Sequence, residues 1–336
     1  MKWLITGGCG FIGSSLIQRL LSEGGHCIRI FDNLSVGTRD TLESFTDITE
    51  LKSNDIKPID YVNDNPSQAI ELVVSDVRIA ETLISAAAGA DIIVHLAANT
   101  GVDPSVKNPM LDCEINVKGT VNSLEAARIN RVKRYIFASS GAPLGEVKPP
   151  IHEEMVPHPV SPYGASKLAG EGYCSAYYRT FGVETVALRF GNVYGPGSDK
   201  KQSVVAKFIR SALNREELEI NGDGTQTRDF IFIDDLVDAI IKAASVSDIG
   251  GEVFQIATSK ETTIQELYQI IKKVLENAGI TSISVRYASV RAGDVLRNYS
   301  DTSKALKILN WHAETDLEAG IAKTFNWFQK IMKNKE

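Results

Sequence analysis

The chain has 336 residues, 43% hydrophobic and 23% charged, with a mean hydropathy of −0.08. That composition excludes a disordered or fibrous protein, and the length allows one large α/β domain or a domain with a smaller lobe. A net charge of −6 and a pI near 5.5 exclude a general nucleic-acid binder, which needs clustered Lys and Arg.

The N-terminus runs directly from Met1-Lys2 into an apolar strand at 3–6, and glycines interrupt it before it reaches the length of a signal segment. Further short apolar runs at 27–31, 71–74, 92–96, 135–138 and 185–189 read as buried strands, with helical patterns such as 13–23 and 116–130 between them. Strands separated by helix-length segments imply βαβ units and a parallel sheet. The expected fold is α/β: a doubly wound parallel-sheet Rossmann domain with a smaller, discontinuous α/β lobe. Its first part spans 1–189, with 230–257 returning to it, and the lobe comprises 190–229 and 258–336. A polar stretch at 43–68 interrupts the rhythm and is expected to be a surface insertion with a short helix.

Beyond Arg189 the pattern changes to Gly191-Asn192-Val193-Tyr194-Gly195-Pro196-Gly197. A helix follows at 203–214, then a turn-rich 221–224. Segments 234–244 and 253–257 read as a return to the main sheet, and 263–278 as an amphipathic helix. Cys9, Cys27, Cys113 and Cys174 lack CxxC spacing, so neither a metal site nor a disulfide framework is expected. No segment is apolar for long enough to cross a bilayer, and a cytoplasmic protein with no membrane partner is expected.

Gly8, Gly10 and Gly13 satisfy GxGxxG, and Gly7, Gly10 and Gly13 satisfy GxxGxxG. Placed between a strand and a helix, they let backbone N–H groups face a pyrophosphate. Asp32 ends the next strand, where a carboxylate binds a ribose 2′-hydroxyl and repels a 2′-phosphate, favouring NAD over NADP. Asp76 ends the strand after that, placed to contact adenine.

Tyr-x-x-x-Lys occurs at Tyr163/Lys167 and at Tyr268/Lys272. Tyr268 lies late in the chain on an amphipathic helix, with no serine-bearing strand end before it, and reads as packing. Tyr163 follows a strand that ends in Ser139-Ser140, at the carboxyl edge where doubly wound sheets bind ligands. The i,i+4 spacing puts Tyr163 and Lys167 on one helix face. A nearby ammonium and a nicotinamide cation are expected to bring the phenol, ordinarily near a pKa of about 10, closer to working pH. Ser140 is placed to hydrogen-bond the reacting oxygen.

These residues resemble the extended short-chain dehydrogenase/reductase family, in its NAD-dependent nucleotide-sugar epimerase/dehydratase branch. The resemblance spans residues 1 to about 310. It is carried by the glycine motif, Asp32-Asn33-Leu34-Ser35, His95-Leu96-Ala97-Ala98, Asn116-Val117-x-Gly119-Thr120, Ser139-Ser140, Ser161-Pro162-Tyr163-x-x-x-Lys167 and Arg189-Phe190-x-Asn192-Val193-Tyr194-Gly195-Pro196. Gly222-Asp223-Gly224-x-Gln226-x-Arg228-Asp229-Phe230 and Arg291-x-Gly293-Asp294 continue it.

The resemblance implies NAD held by Gly7, Gly10, Phe11, Ile12, Gly13, Asp32, Asn33, Asp76, Val77, Leu96, Ala97, Ala98, Tyr163 and Lys167, with Ser140, Tyr163 and Lys167 catalytic. It implies a nucleotide-diphosphate sugar held by Ser140, Asn192, Arg228, Arg291, Asp294 and Asn298, the last at the position that admits or excludes an N-acetyl group. Helices near 112–130 and 163–180 imply a homodimer.

Family members that eliminate water or decarboxylate carry acids directly after the catalytic hydroxyl. Here those positions are Gly141 and Ala142, and Glu146 falls out of register. The expected activity is therefore a 4-epimerase of a UDP-sugar, glucose/galactose or the N-acetyl forms. A dehydratase, a reductase, an epimerase at another carbon and a non-catalytic NAD-binding regulator stay open. Pro143-Leu144-Gly145, where the family often has Val-Tyr-Gly, and Ala142, where many epimerases have a hydroxyl, imply an altered sugar pocket.

Overall fold

The structure is a computed structural model and describes residues 1–60, 70–281, 283–289 and 295–333. Its strands are β1 (Lys2–Thr6), β2 (Cys27–Asp32), β3 (Ile48–Glu50), β4 (Ile70–Val74), β5 (Ile92–His95), β6 (Arg134–Ser140), β7 (Thr185–Phe190), β8 (Asn192–Tyr194), β9 (Leu218–Asn221), β10 (Thr227–Arg228), β11 (Phe230–Phe232), β12 (Glu252–Ile256), β13 (Thr262–Thr263) and β14 (Val285–Ala288). The helices are α1 (Phe11–Glu23), α2 (Arg39–Glu43), α3 (Ala80–Ala86), α4 (Val102–Lys107), α5 (Pro109–Cys113), α6 (Gly119–Ile129), α7 (Pro162–Phe181), α8 (Val204–Leu213), α9 (Ile233–Ser245), α10 (Ile264–Asn277), α11 (Ser303–Leu309) and α12 (Leu317–Lys333).

Eight strands form one sheet in the order β12-β7-β6-β5-β1-β2-β4-β3. The pairs β1/β2, β1/β5, β2/β4, β3/β4 and β5/β6 are parallel, as expected of buried apolar strands joined by helical crossovers. From β1 the chain winds outward through β2 to β4, then restarts on the other side at β5. The switch point between β1 and β5 is where such sheets open a crevice at their carboxyl ends. The register Thr6↔His95 and His95↔Phe137 leaves Ser140 three residues beyond that level. At a strand rise of about 3.3 Å per residue, it stands about 10 Å past the edge that β1 and β5 define.

Two compact units divide the chain. The first comprises Met1–Gly145, Pro159–Arg189 and Ile240–Phe254; the second comprises Glu146–His158, Phe190–Ala239 and Gln255–Glu336. In the second, β8 pairs with β11 and β9 with β14, both parallel, and β10 pairs antiparallel with β13. Helices α8, α10 and α12 pack against one another there.

The structure amends the sequence reading in three places. The stretch 43–68 is more than a surface insertion: β3 adds an edge strand beside β4. Ile59 is buried against the core, and the buried Arg29 guanidinium donates to the Lys57 carbonyl at 2.7 Å. Isolated apolar residues in a polar run hid these anchors, and residues 61–69 lie outside the described set. The helix expected at 116–130 is a π-turn over Glu114–Lys118 followed by α6. Segment 92–96 ends as a strand at His95, and the Leu96 N–H turns to the Thr6 carbonyl at 3.1 Å.

The seating of α7 on β6 organises the first unit. Ser161 caps the helix by accepting from the Gly164 N–H at 3.1 Å, Pro162 occupies its first turn, and Gly182 closes it in the left-handed conformation with φ 70°. Gly170 lies directly against the Phe137 ring, where a Cβ would collide with the aromatic carbons. The next residue, Glu171, accepts from Arg189 Nε and Nη2 at 2.8 and 2.7 Å and from Ser139 Oγ at 2.5 Å, all buried. Removing one partner of a buried ion pair strands the other charge, at a cost of about 3–5 kcal/mol. Glu171→Gln is therefore expected to destabilise the protein by about 3 kcal/mol, read as a lower urea midpoint; an unchanged midpoint would show that the pair carries no folding energy.

Candidate functional site

The glycine loop between β1 and α1 is built by close approach. A Cβ at Gly7 would lie 2.7 Å from the Ala97 nitrogen, and one at Gly13 would lie 2.5 Å from the Gly7 carbonyl oxygen. Gly7 also has φ 70°, a conformation open to glycine at no steric cost. Gly10 differs: its Cβ would meet only the Gly7 carbonyl, at 3.2 Å. It is the N-cap of α1, with no side-chain cap and no acid in the first turn. An uncapped helix N-terminus with an open approach favours a phosphate. Phe11, Ile12 and Gly13 form that first turn, so the expected phosphate-facing residues all lie around one helix end.

Asp32 is buried, with its carboxylate oriented by two backbone donors: Cys9 N–H to Oδ2 at 2.9 Å and Leu34 N–H to Oδ1 at 2.8 Å. Burial pushes its pKa up, while the Leu34 and Cys9 N–H groups pull it back down. The remaining lone pairs suit ribose hydroxyls. Asn33 Nδ2 donates to Asp76 Oδ2 at 3.0 Å. Asp76 itself sits in the turn after β4 rather than at the strand end, and it accepts from Arg78 N, Nε and Nη2. These Arg78 bonds hold its carboxyl down at about 2. Val77 is buried, with its carbonyl accepting from Asn122 Nδ2 at 2.9 Å. Leu96, Ala97 and Ala98 continue from β5 beside Gly7, where the Ala97 N–H reaches Thr6 Oγ1 at 3.3 Å. The cradle therefore fits a dinucleotide: an open helix end for the pyrophosphate, and a fixed carboxylate at the next strand end for a ribose.

At the tip of β6, Ser140 Oγ accepts from the Ala142 N–H at 3.2 Å, and its hydroxyl acts to lower the pKa of the Tyr163 phenol. The approach of α7 to this tip depends on Gly164, where a Cβ would lie 2.6 Å from the Ala142 carbonyl oxygen. Lys167 is buried. Its Nζ donates to the Ala138 carbonyl at 2.8 Å and lies 5.0 Å from the Phe137 ring centroid and 5.8 Å from that of Tyr163. Burial pulls the ammonium down to about 8. It pushes Tyr163 up to about 12, with the Ser140 hydrogen bond acting in the opposite direction. The expectation that Tyr163 sits near working pH is thus not met by the protein's own groups; desolvation outweighs them. Segment Gly141–Gly145 carries no carboxylate, and Glu146 is exposed.

In the second unit, Asn192 is exposed at the start of β8, and its N–H donates to the Asp229 carbonyl at 2.7 Å. Arg228 Nη1 donates to the Thr227 and Val295 carbonyls at 2.6 and 2.8 Å. The half-buried Asn298 donates its N–H to Thr227 Oγ1 at 3.3 Å. Arg228 and Asn298 thus share one strand-to-loop junction, while Arg291 and Asp294 lie outside the described residues. Buried Asp229 accepts from Thr258 N and Oγ1 and from Ser300 N, tying the junction down.

Several residues of the site carried no role in the sequence reading. His95 bridges Thr6 Oγ1 at 2.7 Å and Thr120 Oγ1 at 3.2 Å, and burial drives it down to about 3, so it is neutral. Asn116, inside the π-turn, donates through Nδ2 to the Asn99 carbonyl at 3.0 Å, to Asp112 Oδ1 at 2.9 Å and to Ser166 Oγ at 3.1 Å. The i,i+4 spacing of Asp112 and Asn116 was the available signal. π-turns recur at functional positions because the irregular ladder redirects side chains.

The model of the NAD dependent epimerase/dehydratase family matches residues 3–257. A UDP-glucose 4-epimerase of Mycolicibacterium smegmatis is 35% identical over 336 residues, covering 98% of this chain and 99% of that one. Among solved structures, the UDP-glucose 4-epimerase of Thermotoga maritima with UDP-glucose superposes with a TM-score of 0.86 at 33% identity, covering 99% and 100% of the two chains. The UDP-glucuronic acid 4-epimerase of Bacillus cereus, in complex with UDP-glucuronic acid and NAD, gives 0.86 at 28% identity, covering 98% and 100%. With the glycine cradle, the oriented Asp32 and the Ser140–Tyr163–Lys167 cluster, these matches establish that the chain belongs to the NAD dependent epimerase/dehydratase family.

Proposed function

We propose that the protein is an NAD-dependent 4-epimerase of a UDP-sugar. The observation that carries this reading is the grouping of Ser140, Tyr163 and the buried Lys167 at a strand tip, with no carboxylate in Gly141–Gly145. Tyr163 as phenolate takes the proton of the C4 hydroxyl, and Ser140 hydrogen-bonds the reacting oxygen. Lys167 as ammonium favours the phenolate and fixes its ring. NAD, when held in the cradle, would supply the hydride acceptor for C4 oxidation and the donor for its re-reduction. Tyr163 then gives its proton back to the oxygen at C4, and the cycle is redox-neutral. Water elimination needs a further acid and base, and Gly141 and Ala142 offer neither.

In this reading the first unit holds NAD through Gly7, Gly10, Phe11, Ile12, Gly13, Asp32, Asn33, Asp76, Val77, Leu96, Ala97 and Ala98. The second binds the nucleotide sugar, with Asn192 and Arg228 on the diphosphate. An arginine gives phosphate permanent, bidentate charge. Arg291 and Asp294 complete this set by resemblance, and Asn298 borders the sugar. The three relatives are all named 4-epimerases of UDP-sugars, which supports the assignment. No described helix is long and apolar enough to cross a membrane, which is consistent with a cytoplasmic enzyme.

We also infer a homodimer. On α5, α6 and α7, Met110 is 71% exposed, Ile129 49% and Phe181 53%, an apolar set of the kind that marks an interface.

Incubation with a panel of UDP-sugars, resolved by NMR, is expected to interconvert C4 epimers with no net NADH and no deoxy product. Tyr163→Phe should lose at least about 10²-fold in kcat, the usual contribution of a positioned acid-base group. A deoxy product, net cofactor turnover or a fully active Tyr163→Phe variant would overturn the reading.

The cofactor-free protein should titrate the Tyr163 phenol near about 12, since burial disfavours the charged form. NAD binding should move the titration to lower pH, because a cationic ring favours a phenolate. The absorbance difference between the protein and its Tyr163→Phe variant reads this directly, and a cofactor-free value at or below the ordinary tyrosine value would contradict it. Light scattering is expected to give a dimer that Met110→Glu converts to a monomer; a monomeric parent protein would remove the interface.

A further inference from the structure

The buried charges of the first unit fall into compensated pairs, with two left over. Arg29 is paired with Glu71, Arg134 with Glu184 and Arg189 with Glu171. Asp32 is held by backbone N–H groups at the cradle. Among the described residues the remaining buried cation is Lys167, which touches the Ala138 carbonyl and two aromatic faces but no carboxylate. The remaining buried anion is Asp112, 1% exposed on α5, a helix in contact with α7. Asp112 Oδ1 accepts from Asn116 Nδ2 at 2.9 Å and Asn99 Nδ2 at 3.4 Å, whereas its Oδ2 is buried with no hydrogen-bond partner among the described residues. The same Asn116 amide donates to Ser166, the neighbour of Lys167. A buried charge is tolerated only when another charge or a full set of hydrogen bonds compensates it.

We propose that Asp112 is the counter-charge that keeps Lys167 an ammonium in the buried site, which makes it a positioning residue for the reaction. Its carboxylate raises Lys167 against the effect of burial and also raises Tyr163. The other groups facing the cluster are already committed or solvated. On α7, Glu171 is bound by Arg189 and Ser139, and burial pushes the Cys174 thiol well above its ordinary range. On β5, His95 is neutral. On α6, Glu125 accepts from Arg128 and Tyr177. Asp103 and Lys107 on α4, and Glu114 and Lys118 in the π-turn, are exposed.

The sign follows from one charge acting on two groups. Removing the carboxylate lowers the pKa of both Lys167 and Tyr163, so the whole kcat/KM–pH profile moves to lower pH, whichever limb belongs to which residue. For Asp112→Asn, of nearly the same shape, the expected displacement is roughly one pH unit. The phenol titration of cofactor-free Asp112→Asn, measured against its Tyr163→Phe partner, should fall by a similar amount. Only the kinetic arm rests on the epimerase reading; the titration needs neither cofactor nor sugar, so the two failures can be told apart. A folded variant with an unmoved phenol titration overturns the proposal, even if its activity drops. Should Asp112→Asn fail to fold, Asp112→Asn/Lys167→Met decides. Recovery of a folded protein supports a compensated charge pair, and a double variant no more stable than the singles overturns it.

Discussion

The chemistry of this fold depends on how closely one helix can lie on one strand. Gly170 removes the side chain that would hold α7 off the Phe137 ring, and Gly164 removes the one that would hold its first turn off the Ala142 carbonyl. Between these contacts, Lys167 reaches the Ala138 carbonyl and Tyr163 meets Ser140. The Glu171–Arg189–Ser139 cluster clamps the next turn. Under the proposed function a shift of about 1 Å would misplace Tyr163 and Lys167, so the stiffness of this seat would serve the mechanism as well as the stability.

That same closeness sets an electrostatic cost. Taken out of water, Tyr163 becomes a weaker acid and Lys167 a weaker base, each moving away from the form in which it works. The Ser140 hydrogen bond and the Asp112 charge correct this only in part, and Asp112 corrects Lys167 at the expense of Tyr163. A phenolate therefore has to be stabilised by something cationic that arrives with the ligands. This couples proton abstraction to occupancy of the dinucleotide cradle, and it limits stray base chemistry in a site without its cofactor.

Much of this was legible in the sequence because it rests on local rules. The glycine spacing, the strand-end Asp32 and the i,i+4 pair Tyr163/Lys167 are short-range patterns, and the βαβ rhythm pointed to a parallel, doubly wound sheet. The matched family confirms the branch to which those motifs point. What escaped depends on contacts distant in sequence. β3 is three residues with one apolar side chain and exists only because β4 offers a free edge. The π-turn at Glu114–Lys118 reflects the needs of Asn116, whose partners Asn99 and Ser166 lie 17 and 50 residues away. Asp112 reads as an ordinary helical acid until burial shows that one of its oxygens has no partner. The upward displacement of Tyr163 escaped for a related reason: a sequence shows which charges are near, but not how much water has been excluded.

The division of labour between the units bears on what evolution can change. The groups proposed to move a proton lie in the first unit, on a strand tip and a helix that tolerate little displacement. The groups expected to read the nucleotide sugar lie on the junction of β10 with the 295–300 segment, where Arg228 donates to main-chain carbonyls and the Asn298 N–H donates to Thr227 Oγ1. The two carbonyl acceptors orient the Arg228 guanidinium at this junction. Under the proposed function this cation meets the diphosphate common to all nucleotide sugars. Under the proposed function the sugar is discriminated by side chains such as Asn298, whose replacement would leave the main-chain anchors intact, so substrate range could vary while the proposed redox centre stays fixed.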